Sequence, residues 1–256
     1  MKRFNTIKTS ISLLCILAAP LALAKANEGR LVGAGFAFPA ANQSTVVNSS
    51  TLSEAGQMSL QGLYEFDDAE ANASFVGTSG NLGWGLGYRS ITNSNVLDAG
   101  LGFNAGGFML GTNLYSTSEF ESADIDITAT FDLSNIRLST GLRSIEGGAN
   151  RLDFGIGIMV DSLLVSFDII KSLPWGDVDA YLFDSSLAYN SGKIGFGFGY
   201  TFNYTSFLGT SSFNGGDFHA DLAYAVSNAF ILEGHYNLTP YHSSYGELSA
   251  GATFKF

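Results

Sequence analysis

The sequence predicts an all-β fold: a transmembrane antiparallel β-barrel of about fourteen strands, with twelve as the alternative count. Three observations predict it. Apolar and polar residues alternate with period two in segments of about ten residues, the length a tilted strand needs to cross a hydrocarbon layer. Short and long connections between these segments take turns, as they do in barrels with tight turns at one rim and loops at the other. The sequence closes on Leu248, Ala250, Ala252, Phe254 and Phe256 alternating with Glu247, Ser249, Gly251, Thr253 and Lys255, an apolar face with an aromatic end. The composition, with 31 Gly, 21 Phe and 11 Tyr in 256 residues, suits many short aromatic strands joined by small turn residues.

Residues 1–24 read as a secretory signal peptide. Lys2, Arg3 and Lys8 precede the apolar run Ile11 to Ala19, and Ala22-Leu23-Ala24 offers small residues at the cleavage spacing. The run is too short for a permanent membrane helix, which needs about 20 apolar residues. Cys15 follows Leu14 rather than a small residue, which argues against a lipid anchor. It is the only cysteine, so the processed chain is expected to hold no disulfide. Cleavage removes three positive charges and moves the formal net charge from −11 to −14, that is −11 − 3. Such acidity argues against nucleic acid as a partner, because phosphate binding needs clustered Lys and Arg.

Residues 25–56 do not alternate cleanly and are rich in Gly, Ala, Ser and Asn, which sets them apart as an N-terminal segment ahead of a barrel spanning residues 57–256. The first strand falls in residues 57–67, and the third, Asn81 to Arg89, puts Gly83, Gly85 and Gly87 on one face. In residues 124–133, Ile125, Ile127, Ala129, Phe131 and Leu133 oppose Asp124, Asp126, Thr128, Thr130 and Asp132. Residues 151–160 repeat the design, with Leu152, Phe154, Ile156, Ile158 and Val160 opposite Arg151, Asp153, Gly155, Gly157 and Met159. The clearest strand sets Ile194, Phe196, Phe198, Tyr200, Phe202 and Tyr204 against Gly195, Gly197, Gly199, Thr201 and Asn203.

Period two is equally compatible with a soluble barrel, which would turn the large residues inward. The size of the apolar set, the glycines opposite it and the terminal Phe favour apolar-out. Alternating glycines facing water would be poor strand formers, whereas glycines facing a lumen make room for a plug, water or a ligand. Tight turns are expected at Ser79-Gly80, Ala105-Gly106, Ser134, Asp161-Ser162, Ser191-Gly192 and Ser227-Asn228. Longer loops are expected at residues 116–122, 144–150, 172–178, 205–216 and 239–244, with residues 67–69 the one short exception.

The run Gly33-Ala-Gly-Phe-Ala-Phe-Pro-Ala-Ala-Asn-Gln-Ser-Thr-Val-Val-Asn-Ser-Ser-Thr-Leu-Ser-Glu54 resembles the N-terminal segment of the outer-membrane long-chain fatty acid transporter family. In that family a Gly/Ala-rich stretch leads into an Asn-Pro-Ala turn, where Asn48-Ser49-Ser50 stands here without the Pro and Ala. The resemblance implies that residues 25–56 fold back to plug the lumen. It also implies that small hydrophobic molecules enter from outside and leave sideways at a kinked third strand. The loops here are shorter than the family's, so a capture site for such ligands is not expected to be as elaborate.

By the alternation, the inner face carries Glu65, Glu70, Asp98, Asp124, Asp126, Asp132, Asp153, Asp168, Asp184, Asp217, Asp221, Glu233 and Glu247, against Arg89, Arg137, Arg143, Arg151 and Lys255. Asp124, Asp126, Asp132, Arg137, Arg143, Arg151 and Asp153 fall on the sixth to eighth strands of the count. There they are expected to form a hydrogen-bonded wall, since unpaired charges in a narrow lumen are costly. The excess of carboxylates makes a cation-preferring diffusion pore the alternative function. Leu248, Phe254 and Phe256 are the expected barrel-closing signal, read by the barrel assembly machinery of a bacterial outer membrane.

Catalysis and cofactors are not expected. His242-Ser243-Ser244 has the His-x-Ser spacing of some outer-membrane hydrolases, yet Tyr245 follows where those enzymes have Asn, and no base oriented by a third group is identifiable. His219 and His235, with Asp217 and Asp221, lack a recognised metal-ligand spacing and read as lumen hydrogen-bonding groups. Gly33-Ala-Gly35 and Gly155-Ile-Gly157 open no helix of a βαβ unit, so they are not dinucleotide fingerprints. The expected partners are outer-membrane lipids and small hydrophobic or hydrophilic solutes.

Overall fold

The computed structural model describes residues 30–256 apart from 67–68, 92–93, 118–122, 146–148, 173–177, 208–209, 215 and 239–245. The expected signal peptide and the His242-Ser243-Ser244 match lie outside the described residues. Period-two alternation leaves one apolar and one polar face on each strand, and a ring of such strands satisfies every ladder without leaving an edge. The strands are β1 (Ser59–Glu65), β2 (Ala71–Ser79), β3 (Leu82–Ile91), β4 (Ser94–Asn104) and β5 (Phe108–Thr117). They continue with β6 (Asp124–Leu133), β7 (Ile136–Ile145), β8 (Ala149–Val160), β9 (Leu163–Ser172) and β10 (Val178–Ser191). The last are β11 (Ile194–Phe207), β12 (Thr210–Asn214), β13 (Phe218–Ser227), β14 (Phe230–Leu238) and β15 (Glu247–Lys255).

All pair antiparallel in sequence order, except that β12 folds back only on the far end of β11 and β13 takes its place beside Ile194 to Tyr200. Fourteen strands therefore form the wall. The ring closes where β1 meets β15, with Ser59 opposite Lys255 and Leu60 opposite Phe254. Beyond the last paired residue, the Phe256 N–H donates to the Met58 carbonyl at 2.8 Å.

The faces are oriented apolar-out. On β6, Ile125, Ile127 and Phe131 are 55, 56 and 48% exposed, whereas Asp126, Thr128 and Thr130 between them are 5, 2 and 0% exposed. Leu248, Phe254 and Phe256 are also exposed, as are Phe196, Phe198 and Tyr200 on β11. A continuous belt of this size is what a lipid-facing wall requires, and a water-facing one does not carry it.

The six tight turns fall at one rim, between β2 and β3, β4 and β5, β6 and β7, β8 and β9, β10 and β11, and β13 and β14. Ser134 and Asp161 adopt left-handed φ of 70° and 53° there, alongside Gly80, Gly106 and Gly192. Two of the other connections are shorter than the alternation suggested. β3 and β4 are separated by residues 92–93, and β7 and β8 by residues 146–148, because the ladders run further up the wall. The expected loop at residues 205–216 is in large part a ladder, since β11 continues to Phe207 and β12 pairs back on it.

The third strand is not kinked. β3 pairs without a register break to β2 from Arg89 to Leu82 and to β4 from Leu82 to Ile91. No gap opens beside it, so the sideways exit implied by the resemblance has no counterpart at this strand.

Candidate functional site

The inner face of the ring is the candidate site, and residues 30–56 lie against much of it. The segment enters beside β10 and β11, where Asn190 imitates a strand partner. Its Oδ1 accepts from the Leu31 and Val32 N–H groups at 2.8 and 2.9 Å, and its Nδ2 donates to the Val32 carbonyl at 3.0 Å. Ala34 and Phe38 then exchange backbone hydrogen bonds at 2.8 and 3.2 Å, closing a tight hairpin. Gly35 turns it with φ 54°, and a Cβ there would sit 2.1 Å from Asp168 Oδ2. Asp168 anchors the tip, accepting from the Phe36 N–H at 2.7 Å and from Ser166 Oγ at 2.8 Å.

Three short helical turns follow, Ala41–Gln43, Ser44–Val47 and Ser49–Glu54. Asn48 caps the last of them: its Oδ1 accepts from Ser50 N at 3.3 Å and Oγ at 2.6 Å, while its amide donates to the Phe36 carbonyl at 2.9 Å and Thr130 Oγ1 at 3.1 Å. One buried amide thus ties the hairpin, the turn and the wall together. The Ser50 N–H also donates to Thr128 Oγ1 at 2.9 Å.

The glycines of the neighbouring strands make this approach possible. A Cβ at Gly83 would lie 2.0 Å from the Leu52 carbonyl, one at Gly102 2.4 Å from the Ser49 carbonyl, and one at Gly111 2.1 Å from the Ser50 nitrogen. The obstructing atoms are backbone and cannot swing away. On the opposite side Val32, Ala34, Ala37 and Phe38 pack on Leu164, Ala188, Ala223 and Ile231, an apolar patch near the tight-turn rim. Burying such side chains is worth about 1.5–3 kcal/mol each for the larger ones.

Charges fasten the segment to the wall. Glu54 accepts from Arg30 at 2.8 Å and from Arg137 at 2.7 Å, and Arg137 also donates to Asp132 at 2.6 Å. Both guanidinium groups lie over the Phe38 ring, 5.4 Å from its centre for Arg30 and 4.9 Å for Arg137. Burial alone would push the Glu54 carboxyl up, but Arg30 and Arg137 outweigh it and hold it below the usual carboxylate range. Arg143 donates to the Val46 carbonyl at 2.6 Å, approaches Asp153 to 2.6 Å and Asp126 to 3.9 Å, and covers the Phe36 ring. Arg151 binds Asp153 at 2.7 Å, and Arg89 binds Asp98 at 3.1 Å.

Thus the six charged residues fall in two clusters across β6, β7 and β8: Asp132 with Arg137, and Asp126, Arg143, Asp153 and Arg151. Asp124 stands on the same face of β6, opposite Tyr115 of β5. The period-two reading had no signal for Glu54, Asn48 or Asn190. Each acts across a long sequence separation or from a segment without periodicity.

A different inner face runs along β13, β14, β15 and β1. His235 Nδ1 meets Asp221 Oδ1 at 2.7 Å, and its Nε2 is 3.8 Å from Glu233. The Glu233 carboxylate accepts from Gln61 and Thr253 on the two strands that close the ring. Asn42 of the segment spans the same seam, donating to Thr253 Oγ1 at 3.2 Å and accepting from Ser59 Oγ at 2.9 Å. Between the segment and this wall lies a cavity of about 30 Å3, lined by Arg30, Asn42, Gln61, Glu233, Thr253 and Lys255 among others.

Among solved structures, the chain is similar to the Acinetobacter baumannii outer membrane protein Omp33, with a TM-score of 0.55 and 12% identity over 78% of this chain and 97% of that one. It is also similar to the CymD monoaromatic hydrocarbon channel, with a TM-score of 0.59 and 11% identity over 88% of this chain and 98% of that one. No protein-family model and no curated protein matches the chain, so neither comparison carries the resemblance of residues 33–54 to the fatty acid transporter family. At these identities the likeness is one of architecture: a closed antiparallel barrel of the outer-membrane kind.

Proposed function

We propose that this chain is a bacterial outer-membrane channel whose lumen is plugged by residues 30–56. The observation that carries the reading is the fit of the segment's backbone into inward-facing glycines of a ring that is apolar outside. The tight-turn rim, which also holds both ends of the barrel, then faces the periplasm, and lipids of the outer membrane surround the exposed aromatic and aliphatic belt. Leu248, Phe254 and Phe256 would be read by the barrel assembly machinery on the strand that closes the ring, and Asp124 to Asp153 with Arg137, Arg143 and Arg151 would line the lumen as the wall that grips the plug.

Small hydrophobic molecules are one solute class for this channel. The resemblance of residues 33–54 supports them, as does the architecture shared with a protein described as a monoaromatic hydrocarbon channel. The second class is small hydrophilic solutes, and a specific observation favours it: the inner face left beside the segment carries His219, Asp221, Glu233, His235 and Asn237 rather than an apolar lining. Planar-bilayer recording separates plugged from open. A plugged channel conducts little until residues 30–56 are removed or unseated, and then conducts at least about tenfold more. Equal conductance with and without the segment would overturn the reading.

A further inference from the structure

The seated segment divides the lumen unequally. On β4 to β10 the inward polar side chains are covered: Asp98, Asn113, Thr130, Ser139, Asp153, Ser166 and Ser186 are all less than 5% exposed. On β13, β14 and β15 the equivalent positions, His219, Asp221, Glu233, His235, Asn237 and Ser249, are half-buried. That strip descends from the loop rim to Glu233, where the carboxylate, Gln61 and Thr253 form a hydrogen-bonded neck across the β14, β15 and β1 ladders. Below the neck is the cavity beside Asn42, Arg30 and Lys255, at the tight-turn rim. The half-buried strip and the cavity therefore meet at the Glu233 carboxylate.

We propose that small inorganic cations pass the seated segment along the β13 to β1 wall, with Glu233 as the residue that sets their selectivity. The inference rests on the channel reading and names what such a channel passes while plugged. Size is set by the cavity, whose volume of about 30 Å3 holds about two waters at 10–15 Å3 each. A sugar or an aromatic solute does not fit. Charge is set by the lining: Glu233 stands at the neck and Asp221 above it, with His235 between them, 2.7 Å from Asp221 and 3.8 Å from Glu233. Below it, Arg30 is engaged by Glu54, which leaves Lys255 as the opposing charge in the cavity. In a narrow, weakly screened passage one such carboxylate discriminates strongly between cation and anion.

The test uses the purified full chain in planar bilayers under a potassium chloride gradient. The expected result is a small, steady, cation-selective current, with Glu233→Gln lowering the potassium to chloride permeability ratio by about threefold or more. A second measurement does not depend on that variant: in a Cys15→Ser background, a cationic methanethiosulfonate reagent added from the loop side should modify Ser249→Cys and reduce the current, while Ser139→Cys on the covered wall stays unmodified. Three results would overturn the inference. If the full chain is silent while the unseated variant Gly83→Leu conducts, the channel reading stands and the passage does not exist. Equal modification at positions 139 and 249 would show that the segment does not divide the lumen. Silence of both the full chain and Gly83→Leu would remove the channel reading together with this inference.

Discussion

The two halves of the barrel interior obey the same alternation and do opposite things with it. From β3 to β9 the inner positions are glycines, hydroxyls and arginine-bridged carboxylates, and nearly every polar atom meets the segment or a neighbour. Toward the loop rim of β13, β14 and β15 they are His219, Asp221, Glu233, His235, Asn237 and Ser249, which stay half-buried, while Ala223, Ile231, Thr253, Ser59 and Gln61 nearer the tight turns are covered. Small residues admit a backbone, and hydroxyls at 2.9 Å satisfy its polar groups, so the first wall is a mould. The second wall keeps larger polar side chains that hold water as readily as protein. Inward polarity alone therefore does not say whether a lumen is filled or open. The size of the inward residue decides.

The sharpest way to test the mould is to fill one glycine that faces the segment and one that faces away from the lumen. Gly83→Leu puts a Cβ 2.0 Å from the Leu52 carbonyl, so the turn Ser49–Glu54 must leave its seat. Overpacking against backbone is expected to cost about 3 kcal/mol and to open the channel. Gly234→Leu, on the outward face of β14 with nothing within 4 Å, should leave both stability and conductance unchanged. The heat needed to convert the folded to the unfolded gel band, read beside bilayer conductance, checks both. If the two variants behave alike, the mould has no energetic content.

A smaller effect is expected from the charges that hold the mould's contents. Glu54→Gln removes the carboxylate shared by Arg30 and Arg137, of which Arg137 has a side chain only 5% exposed. Leaving that guanidinium short of a partner is expected to cost about 2–3 kcal/mol, reduced from a fully buried pair because Asp132 remains. Glu247→Gln, exposed at the loop end of β15, should cost under about 1 kcal/mol. The pH dependence sharpens the comparison. The Glu54 carboxyl is held below its ordinary range in the folded chain, so its contribution is complete above that range and is lost as pH falls through the depressed value. The difference in unfolding temperature between wild type and Glu54→Gln should thus be largest near neutrality and shrink in acid. A difference independent of pH would mean that Glu54 acts by shape and not by charge.

These contrasts also show what the sequence could and could not express. The strand number, the outward belt on Ile125, Ile127 and Phe131, and the turns at Ser134 and Asp161 were legible, because each depends on residues two to ten positions apart. The inward assignment of Asp153 and Arg151 was legible for the same reason. The pairing of Arg137 with Glu54, 83 residues away, was not. Nor was the purpose of Gly83, Gly102 and Gly111. Alternation announces that space is being left, and only the path of residues 49–54 says what fills it. The unbroken ladders of β3 illustrate the risk: the strand that the resemblance implied to be kinked is regular, and its Gly83 and Gly85 seat Leu52 and Thr45 of the segment. The β11–β12 ladder was missed because Ser, Thr and Asn in residues 205–216 resemble loop composition when pairing partners are unknown.

The smallest effect expected from the segment's own side chains lies where the two halves meet. Asn42 belongs to the segment, yet its amide bridges Ser59 of β1 and Thr253 of β15, the strands that close the ring. Asn42→Ala removes both bonds, and each net bond is worth about 1 kcal/mol. Part of that should return, because Thr253 keeps its bond to Glu233 and water from the adjoining cavity can reach Ser59. A loss of about 1 kcal/mol with little change in conductance is therefore expected, in contrast to Gly83→Leu. If Asn42→Ala instead slowed folding into lipid vesicles without altering the stability of the finished barrel, the segment would be acting on closure itself. The amide would then hold the first and last strands in register before their ladder forms.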